Sequence, residues 1–471
     1  ELVMNNEFLE NVTYEELTIG RKASLNRTLT QDDINLFAAM SGDINPSHVD
    51  PQFAKSDVFH GVVGHGMWSG ALISTLLGTA LPGPGTIYLE QDIQFITPVR
   101  IGDNLTITIV VRDKHPGKSI VHFDCMGVNQ KGETVIKGLA KVIAPTKKMK
   151  VPRTVLPLVQ IHHNDHFNKI IETCSNLPSI KTAVVHPVTA NVLEAVYDSV
   201  KAGLITPVLI GPMAKIKCAA SEAKIDLSNW EMIDTEHSDA AAFKAVELAA
   251  SGKVDSIMKG ALHTDELMSA VVPATSGLRT KYRISHAYVM DVPTYHKPLI
   301  ITDAAINIAP NAADKADICQ NAINLWRILY GEETKPKVAI LAAVEMVNPK
   351  MQATVDAAVL CKMADRAQII NGILDGPLAF DNAINKQASK EKNIISPVAG
   401  DADILLVPDI ESGNMLAKQL TFLGHADAAG IVLGARVPII LASRADSLRT
   451  RLLSCAVATK IAAARKAGKI K

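Results

Sequence analysis

The chain has 471 residues, with 48 Lys+Arg against 48 Asp+Glu, so no global charge recommends a nucleic acid or an anionic membrane as partner. Apolar residues make up 48% and aromatics only 4%, which predicts cores of Ala, Val, Ile and Leu, and the length exceeds one ordinary core, so two or three domains are expected. The cysteines are scattered without a C-x-x-C pair, which argues against a disulfide framework or zinc ribbon; with no signal peptide or membrane-length apolar run, the expected location is cytoplasmic.

Residues 1–145 read as one helix-bearing antiparallel domain. In "TQDDINLFAAMSG", Thr30 with Asp33 three residues on marks a helix start, and Gly42 its stop. "SGDINPSHVD", residues 41–50, then crowds Asp43, Asn45, His48 and Asp50 around a proline. "HGMWSGALISTLLGTAL", residues 65–81, is apolar nearly all round, so it must be wrapped by other structure. Strand-like runs follow. "NLTITIVVRD" puts Leu105, Ile107, Ile109 and Val111 on one face. "SIVHFDCMGV" puts Val121, Phe123 and Cys125 inward, and Lys137 and Lys141 point away from Ile136, Ala140 and Val142. "QKG" between Asn129 and Glu133 supplies a hairpin turn. The implied shape is a buried helix inside a curved antiparallel sheet.

"APTKKMKVPRTVLP" has no core periodicity, and 146–158 is expected to be a linker. Residues 159–471 change to strand–helix alternation: "KTAVVHP", "PVLIGP", "VDSIMKGA", "KVAILAAVE", "ADILLVPDI" and "VPIILAS" each precede a helical stretch. That grammar predicts a largely parallel sheet covered on both faces, in two α/β lobes with a cleft.

Two sites stand out. Asp43 and His48, just ahead of the apolar helix, could deprotonate and orient a water. Gly66 at the helix start leaves backbone N–H groups and the positive dipole end open to a carbonyl oxygen gaining charge. Turn residues alone would explain such a cluster; the order tips the reading. "FAAMSGDINPSHVDPQFA", then "HGMWSGALISTLLG", then "LPGPGTIYLEQDIQFITPVRIGD" closely resembles the MaoC-like (R)-specific enoyl-CoA hydratases over about 15–145. The resemblance implies an α+β hot dog fold, usually dimeric. It also implies Asp43 and His48 as water activators on a trans-2-enoyl-CoA, Asn45 shaping the site, and Gly66 holding the thioester carbonyl. A supporting serine of that family is replaced by Ala71. Ser69, two residues earlier on a different part of the helix, is carried as a binding candidate. A thioesterase of the same fold is the competing reading.

In the second half, loops at strand ends carry Lys259, His263 and Thr264 ("MKGALHTDEL"), Asn414 ("DIESGNMLAKQL"), and Ser443, Arg444 and Asp446 ("LASRADSLRTRL"). Ligands of open α/β sheets collect at carboxyl ends of strands. A Ser-Arg pair opening a helix suits a phosphate; equally, the loop could cap the helix with Arg444 in solvent. "SIMKGALHTDEL", "LRTKYRISHAYVMDVPTYHKPLIITDAAINIAPN", "INGILDGPLAFDNAI", "SPVAGDADILLVPDIESGNMLAKQLTFL" and "SRADS" resemble the phosphate acetyl/butyryltransferase family over about 160–471. That implies a two-lobed α/β fold similar to isocitrate and isopropylmalate dehydrogenases, and exchange of acyl groups between CoA and phosphate. Arg444 would hold phosphate, Ser443 would bond the carbonyl or thiol, and Asp446 is the only nearby acid for a base. "QLTFLGHADAAG" lacks an Arg that acetyltransferase members carry there and looks closer to butyryltransferase-type sequences. Arg279 and Arg283, with Lys281, are candidates for the CoA phosphates. His162, His163 and His166 have no acid or cysteine set to complete a metal site, and no metal is expected.

The chain thus resembles a MaoC-like hydratase domain fused to a phosphate acetyl/butyryltransferase domain. CoA thioesters and phosphate are the expected substrates, with no tightly bound cofactor and assembly as a homo-oligomer of even order. The alternatives are that only the phosphotransacylase is active and the hot dog domain is a dimerisation or CoA-binding module or a thioesterase, and that the chain is a non-catalytic acyl-CoA-binding scaffold.

Overall fold

The apolar stretch 66–79 has no wet face, and a curved sheet encloses it. The computed structural model describes residues 7–154, 159, 165–441 and 447–469, and the chain divides into two compact units, Glu1–Ile161 and His162–Lys471.

In the first unit, strands β1 (Phe8–Glu10) and β2 (Lys22–Thr28) are followed by helices α1 (Gln31–Ser41), α2 (Pro46–Val49), α3 (Pro51–Ser56) and α4 (Gly66–Thr79), and then by strands β3 (Ile87–Phe95), β4 (Asn104–His115), β5 (Ile120–Val128), β6 (Thr134–Ile143) and β7 (Lys150–Pro152). Five strands pair antiparallel in the order β2-β4-β5-β6-β3. Leu105, Ile107, Ile109 and Val111 on β4, and Val121, Phe123 and Cys125 on β5, are buried with Ile73, Leu76 and Leu77 of α4. This is the hot dog arrangement. α1 starts on the expected capping box, Thr30 with Asp33, and ends at Gly42, whose φ of 77° suits glycine. β3 is an edge strand with Ile87, Leu89 and Phe95 exposed.

Residues 147–153, within the expected linker 146–158, pack on the first unit. The Lys148 ammonium donates to the Asn11 carbonyl at 2.7 Å and pairs with Glu16 at 2.9 Å. Met149 N–H donates to Asn11 Oδ1 at 2.9 Å, and β7 pairs with β1. The basic residues that broke the core pattern make polar and strand contacts instead, and bind this stretch to the first unit.

The second unit is one continuous sheet of eleven strands: β8 (Ile180–Val185), β9 (Ile205–Gly211), β10 (Glu231–Asp234), β11 (Ser256–Lys259), β12 (Ser285–Asp291), β13 (Leu299–Thr302), β14 (Lys337–Leu341), β15 (Ile373–Leu378), β16 (Ile404–Leu406), β17 (Asp427–Leu433) and β18 (Ile439–Ile440). Their order is β10-β9-β8-β11-β18-β17-β12-β13-β16-β14-β15. Both flanks are parallel, as the alternation predicts. Antiparallel pairing of β12 with β13 and β17, and of β17 with β18, joins them in the middle. The two expected lobes are therefore the flanks of one sheet.

Helices Ala312–Tyr330 and Gln352–Asp365 are tied by a buried ion pair, Lys315 Nζ to Asp356 Oδ2 at 2.7 Å, each side chain about 5% exposed or less. Gln352 Nε2 donates to the other Asp356 oxygen at 2.8 Å. Asp356→Ala strands the lysine charge without its counter-ion. It is expected to cost on the order of 3–5 kcal/mol, seen as a fall in the unfolding midpoint of the second unit; an unchanged midpoint would show that the lysine finds water instead.

Candidate active sites

The segment 41–50 spends part of its polarity on turns. Asn45 Oδ1 accepts the Ser47 N–H at 3.2 Å at the start of α2, and Asp50 caps α3 through the N–H groups of Gln52 and Phe53. Asn45 is thus first a capping residue. Asp43 is exposed, with Oδ1 accepting the Asn45 N–H at 3.2 Å. His48 Nδ1 lies 2.8 Å from the Val63 carbonyl oxygen. A carbonyl only accepts, so Nδ1 carries the proton, and in the neutral ring the Nε2 lone pair is free to act as a base. A carboxylate oxygen of Asp43 and a ring nitrogen each of His48 and His65 lie within 4.8 Å of one another.

His65 was not among the residues expected at the site. It is 3% exposed and stacks on His48 with ring centroids 4.0 Å apart. Its Nε2–H donates to the Asp43 backbone carbonyl at 3.0 Å, and its Nδ1 is buried with no partner among the described residues. It joins the Asp43 loop to the helix start. The sequence signal was the histidine inside "GHG", which reads as punctuation until the fold brings it back against residue 43.

Among the described residues no side chain caps α4; Trp68 N–H is bonded to the His65 carbonyl at 3.0 Å, and the N–H groups ahead of it are left for a partner outside the helix. A Cβ at Gly66 would lie 3.1 Å from the Phe95 ring, tighter than an ordinary contact. Ser69 is 1% exposed and its hydroxyl has no partner. It lies about 200° around the helix from the exposed Ala71, so it does not stand in Ala71's place.

In the second unit, Lys259 at the end of β11, His263 and Thr264 at the start of helix Thr264–Val271, and Asn414 on helix Ile410–Phe422 line one cavity of about 850 Å³, together with Tyr288 and Glu411. Lys259 is 6% exposed and also lines a second cavity of about 530 Å³ with Asn191 and Arg451. Asn414 Nδ2 donates to the Ala304 carbonyl at 3.2 Å, fixing its helix against the loop after β13. In that loop the buried Asp303 carboxylate accepts the N–H groups of Ala305, Ile306 and Asn307; burial pushes its pKa up, against those bonds. His286, under Tyr288 with ring centroids 4.4 Å apart, is fully buried, and burial pushes its pKa down to about 3, so it is neutral.

Arg279 and Arg283 line a smaller adjoining cavity of about 290 Å³ that shares Thr264 and Asp265. Arg283 is already engaged: Nη1 lies 2.9 Å from Asp314 and Nε donates to Asn307 Oδ1 at 2.6 Å. Lys281 stands over the Tyr282 ring at 4.8 Å. The basic patch is therefore partly neutralised. Ser443, Arg444 and Asp446, with His162 and His163, lie outside the described residues. The described chain reaches the 850 Å³ cavity at Leu441 and resumes at Ser447, which caps the last helix. His166 Nδ1 lies 3.1 Å from Asp291 Oδ1.

Residues 236–459 match the family model described as Phosphate acetyl/butaryl transferase. A phosphate acetyltransferase of Rhizobium meliloti is 58% identical over 290 residues, 61% of this chain and 91% of that protein. The chain belongs to the phosphate acetyl/butyryltransferase family. A phosphate butyryltransferase of Clostridium acetobutylicum is 39% identical over 63% of this chain and 98% of that protein. A branched-chain phosphotransacylase from Enterococcus faecalis has a crystal structure that matches with a TM-score of 0.53 and 30% identity, over 60% of this chain and 99% of that one. Ahead of the transferase part, residues 15–127 match the MaoC like domain model, which spans Asp43, His48 and the whole of α4. Tyr288 and Arg451 are residues that strand grammar alone does not flag: each lines a cavity with residues distant in sequence.

Proposed function

We propose that the chain is a two-activity acyl-CoA enzyme. In the first unit, water held between the Asp43 carboxylate and His48 Nε2 adds through its oxygen to C3 of a trans-2-enoyl-CoA. The dyad takes one water proton, C2 gains a proton, and the product is a 3-hydroxyacyl-CoA. The open N–H groups at the start of α4 hold the thioester oxygen as it gains charge. The observation that supports this reading is the His48 Nδ1–Val63 carbonyl bond, which leaves the Nε2 lone pair open, with a His48 ring nitrogen within 4.8 Å of an Asp43 carboxylate oxygen.

In the second unit, acyl-CoA and phosphate exchange to acyl phosphate and CoA. Starting from acyl phosphate, the CoA thiolate attacks the carbonyl, a C–S bond forms, and the C–O bond to phosphate breaks; formation of acyl phosphate is the reverse, with phosphate attacking the thioester and the thiolate leaving. A free thiol has a pKa of roughly 8.5, so a cation near sulfur or phosphate helps. Lys259 in the cavity wall, with Ser443 and Arg444, which follow Leu441 in sequence, are the groups proposed for this.

The deciding experiment presents the full chain with a panel of trans-2-enoyl-CoAs, and with acyl phosphates plus CoA. Turnover in both is expected. Release of free CoA from enoyl-CoA without hydration would make the first unit a thioesterase, and CoA binding without turnover in either assay would overturn the enzyme reading.

A further inference from the structure

The far end of the β4–β5 hairpin carries a second cluster of chemistry-bearing side chains, away from Asp43. β4 keeps odd-numbered residues inward from Leu105 to Val111. The register then slips by one between Val111 and Asp113. Such an extra residue reverses the alternation of a strand. Asp113 and His115 consequently share the outer face, and His122 lies directly across from Asp113 while its neighbours Val121 and Phe123 are buried.

The three side chains converge. His122 Nδ1 is 2.6 Å and His115 Nε2 is 3.0 Å from the same Asp113 oxygen, Oδ1. The three donor atoms lie within 4.8 Å of one another, and the two imidazoles meet edge to face with centroids 5.1 Å apart. A tetrahedral zinc site with bonds of about 2.0–2.1 Å spaces its donors roughly 3.3 Å apart. The present separations differ from that by less than the reach of a side-chain rotation. Two imidazoles and one carboxylate suit zinc and its divalent neighbours better than calcium or magnesium. Each ring now presents an N–H to Asp113. To ligate, each neutral ring shifts that proton to its other nitrogen, so no net proton need be released.

We propose that Asp113, His115 and His122 form a binding site for a divalent transition-metal ion, with a water completing the coordination. It would clamp the last residues of β4 to the start of β5 across the turn Pro116–Lys118. The test uses zinc chloride with the tag-free full chain, read by calorimetry and by the unfolding midpoint of the first unit. Saturable binding and a raised midpoint are expected in the wild type, because an ion that binds only the folded state stabilises it. His115→Ala removes a largely exposed ligand (59% side-chain exposure) and should weaken binding at least about tenfold, as losing even supporting groups of a metal site does, and abolish the midpoint rise. Asp113→Asn should do the same, which secures the result should one variant fold poorly. Enoyl-CoA hydration without zinc should be unchanged in His115→Ala. Equal zinc affinity in wild type and both variants would place any bound ion elsewhere, at the Asp43–His48–His65 cluster for instance, and would overturn the proposal, as would no saturable binding at all.

Discussion

Asp43→Asn is expected to lower hydration of a trans-2-enoyl-CoA by about a hundred- to ten-thousand-fold, the range for loss of a positioned general base. The reason lies in what the substitution leaves intact. The amide is isosteric with the carboxylate and can still accept the Asn45 N–H at Oδ1. The His65 bond runs to the Asp43 backbone carbonyl, so it survives any side-chain change. Asp43 is exposed, and a surface change of this kind moves stability by about 0.5 kcal/mol or less. A large fall in kcat with an unchanged unfolding midpoint is therefore the signature of chemistry rather than damage. Acyl transfer to phosphate, measured on the same preparation, should not change. Wild-type hydration by the variant would remove the dyad from the mechanism.

Lys259→Met is the counterpart in the second unit. Its expected result is a fall of roughly a hundred- to thousand-fold in acyl phosphate formation, the scale for deleting one group that stabilises developing negative charge in a closed site. Methionine keeps the length and volume of the side chain, so the walls of both cavities that Lys259 lines stay filled. The cation is what disappears. At 6% exposure, on the end of a parallel strand flanked by β8 and β18, a charge there is little screened by water. Hydration by the first unit serves as the internal control and should remain at wild-type rate. If acyl transfer kept its rate and its dependence on phosphate, Lys259 would be a structural cation and the transfer chemistry would rest on the Ser443–Arg444 loop alone.

Local physics was legible wherever burial alternates with a fixed period. The inward faces of β4, β5 and β6 follow from period-two spacing, and α4 from its unbroken apolar surface, because each of those residues has a single environment to satisfy. β3 was not readable this way: both its faces carry apolar and polar residues, and most are exposed. The slip between Val111 and Asp113 was also invisible, since an extra residue leaves no composition signal, yet it decides which face Asp113 takes. In the second unit the parallel flanks were legible from apolar runs between amphipathic helices. The antiparallel centre was not, because β12 and β17 look like any buried strand and their direction depends on partners distant in the chain. The same holds for the sites. Asp43 and His48 stand five residues apart and could be paired on paper. Lys259, Tyr288 and Asn414 meet only because the sheet order folds them together.

The position of β18 bears on how the molecule comes into being. Ile439 and Ile440 sit between β11 and β17, deep inside the sheet, although they follow every other described strand of that sheet in chain order. A chain still being synthesised would have a gap at that place and could not close the sheet, while every strand of the first unit would already be present. The hot dog half can therefore mature during translation, and the half that handles phosphate must wait for its final segment. This order shields the slower, long-range sheet from being the first thing the nascent chain attempts.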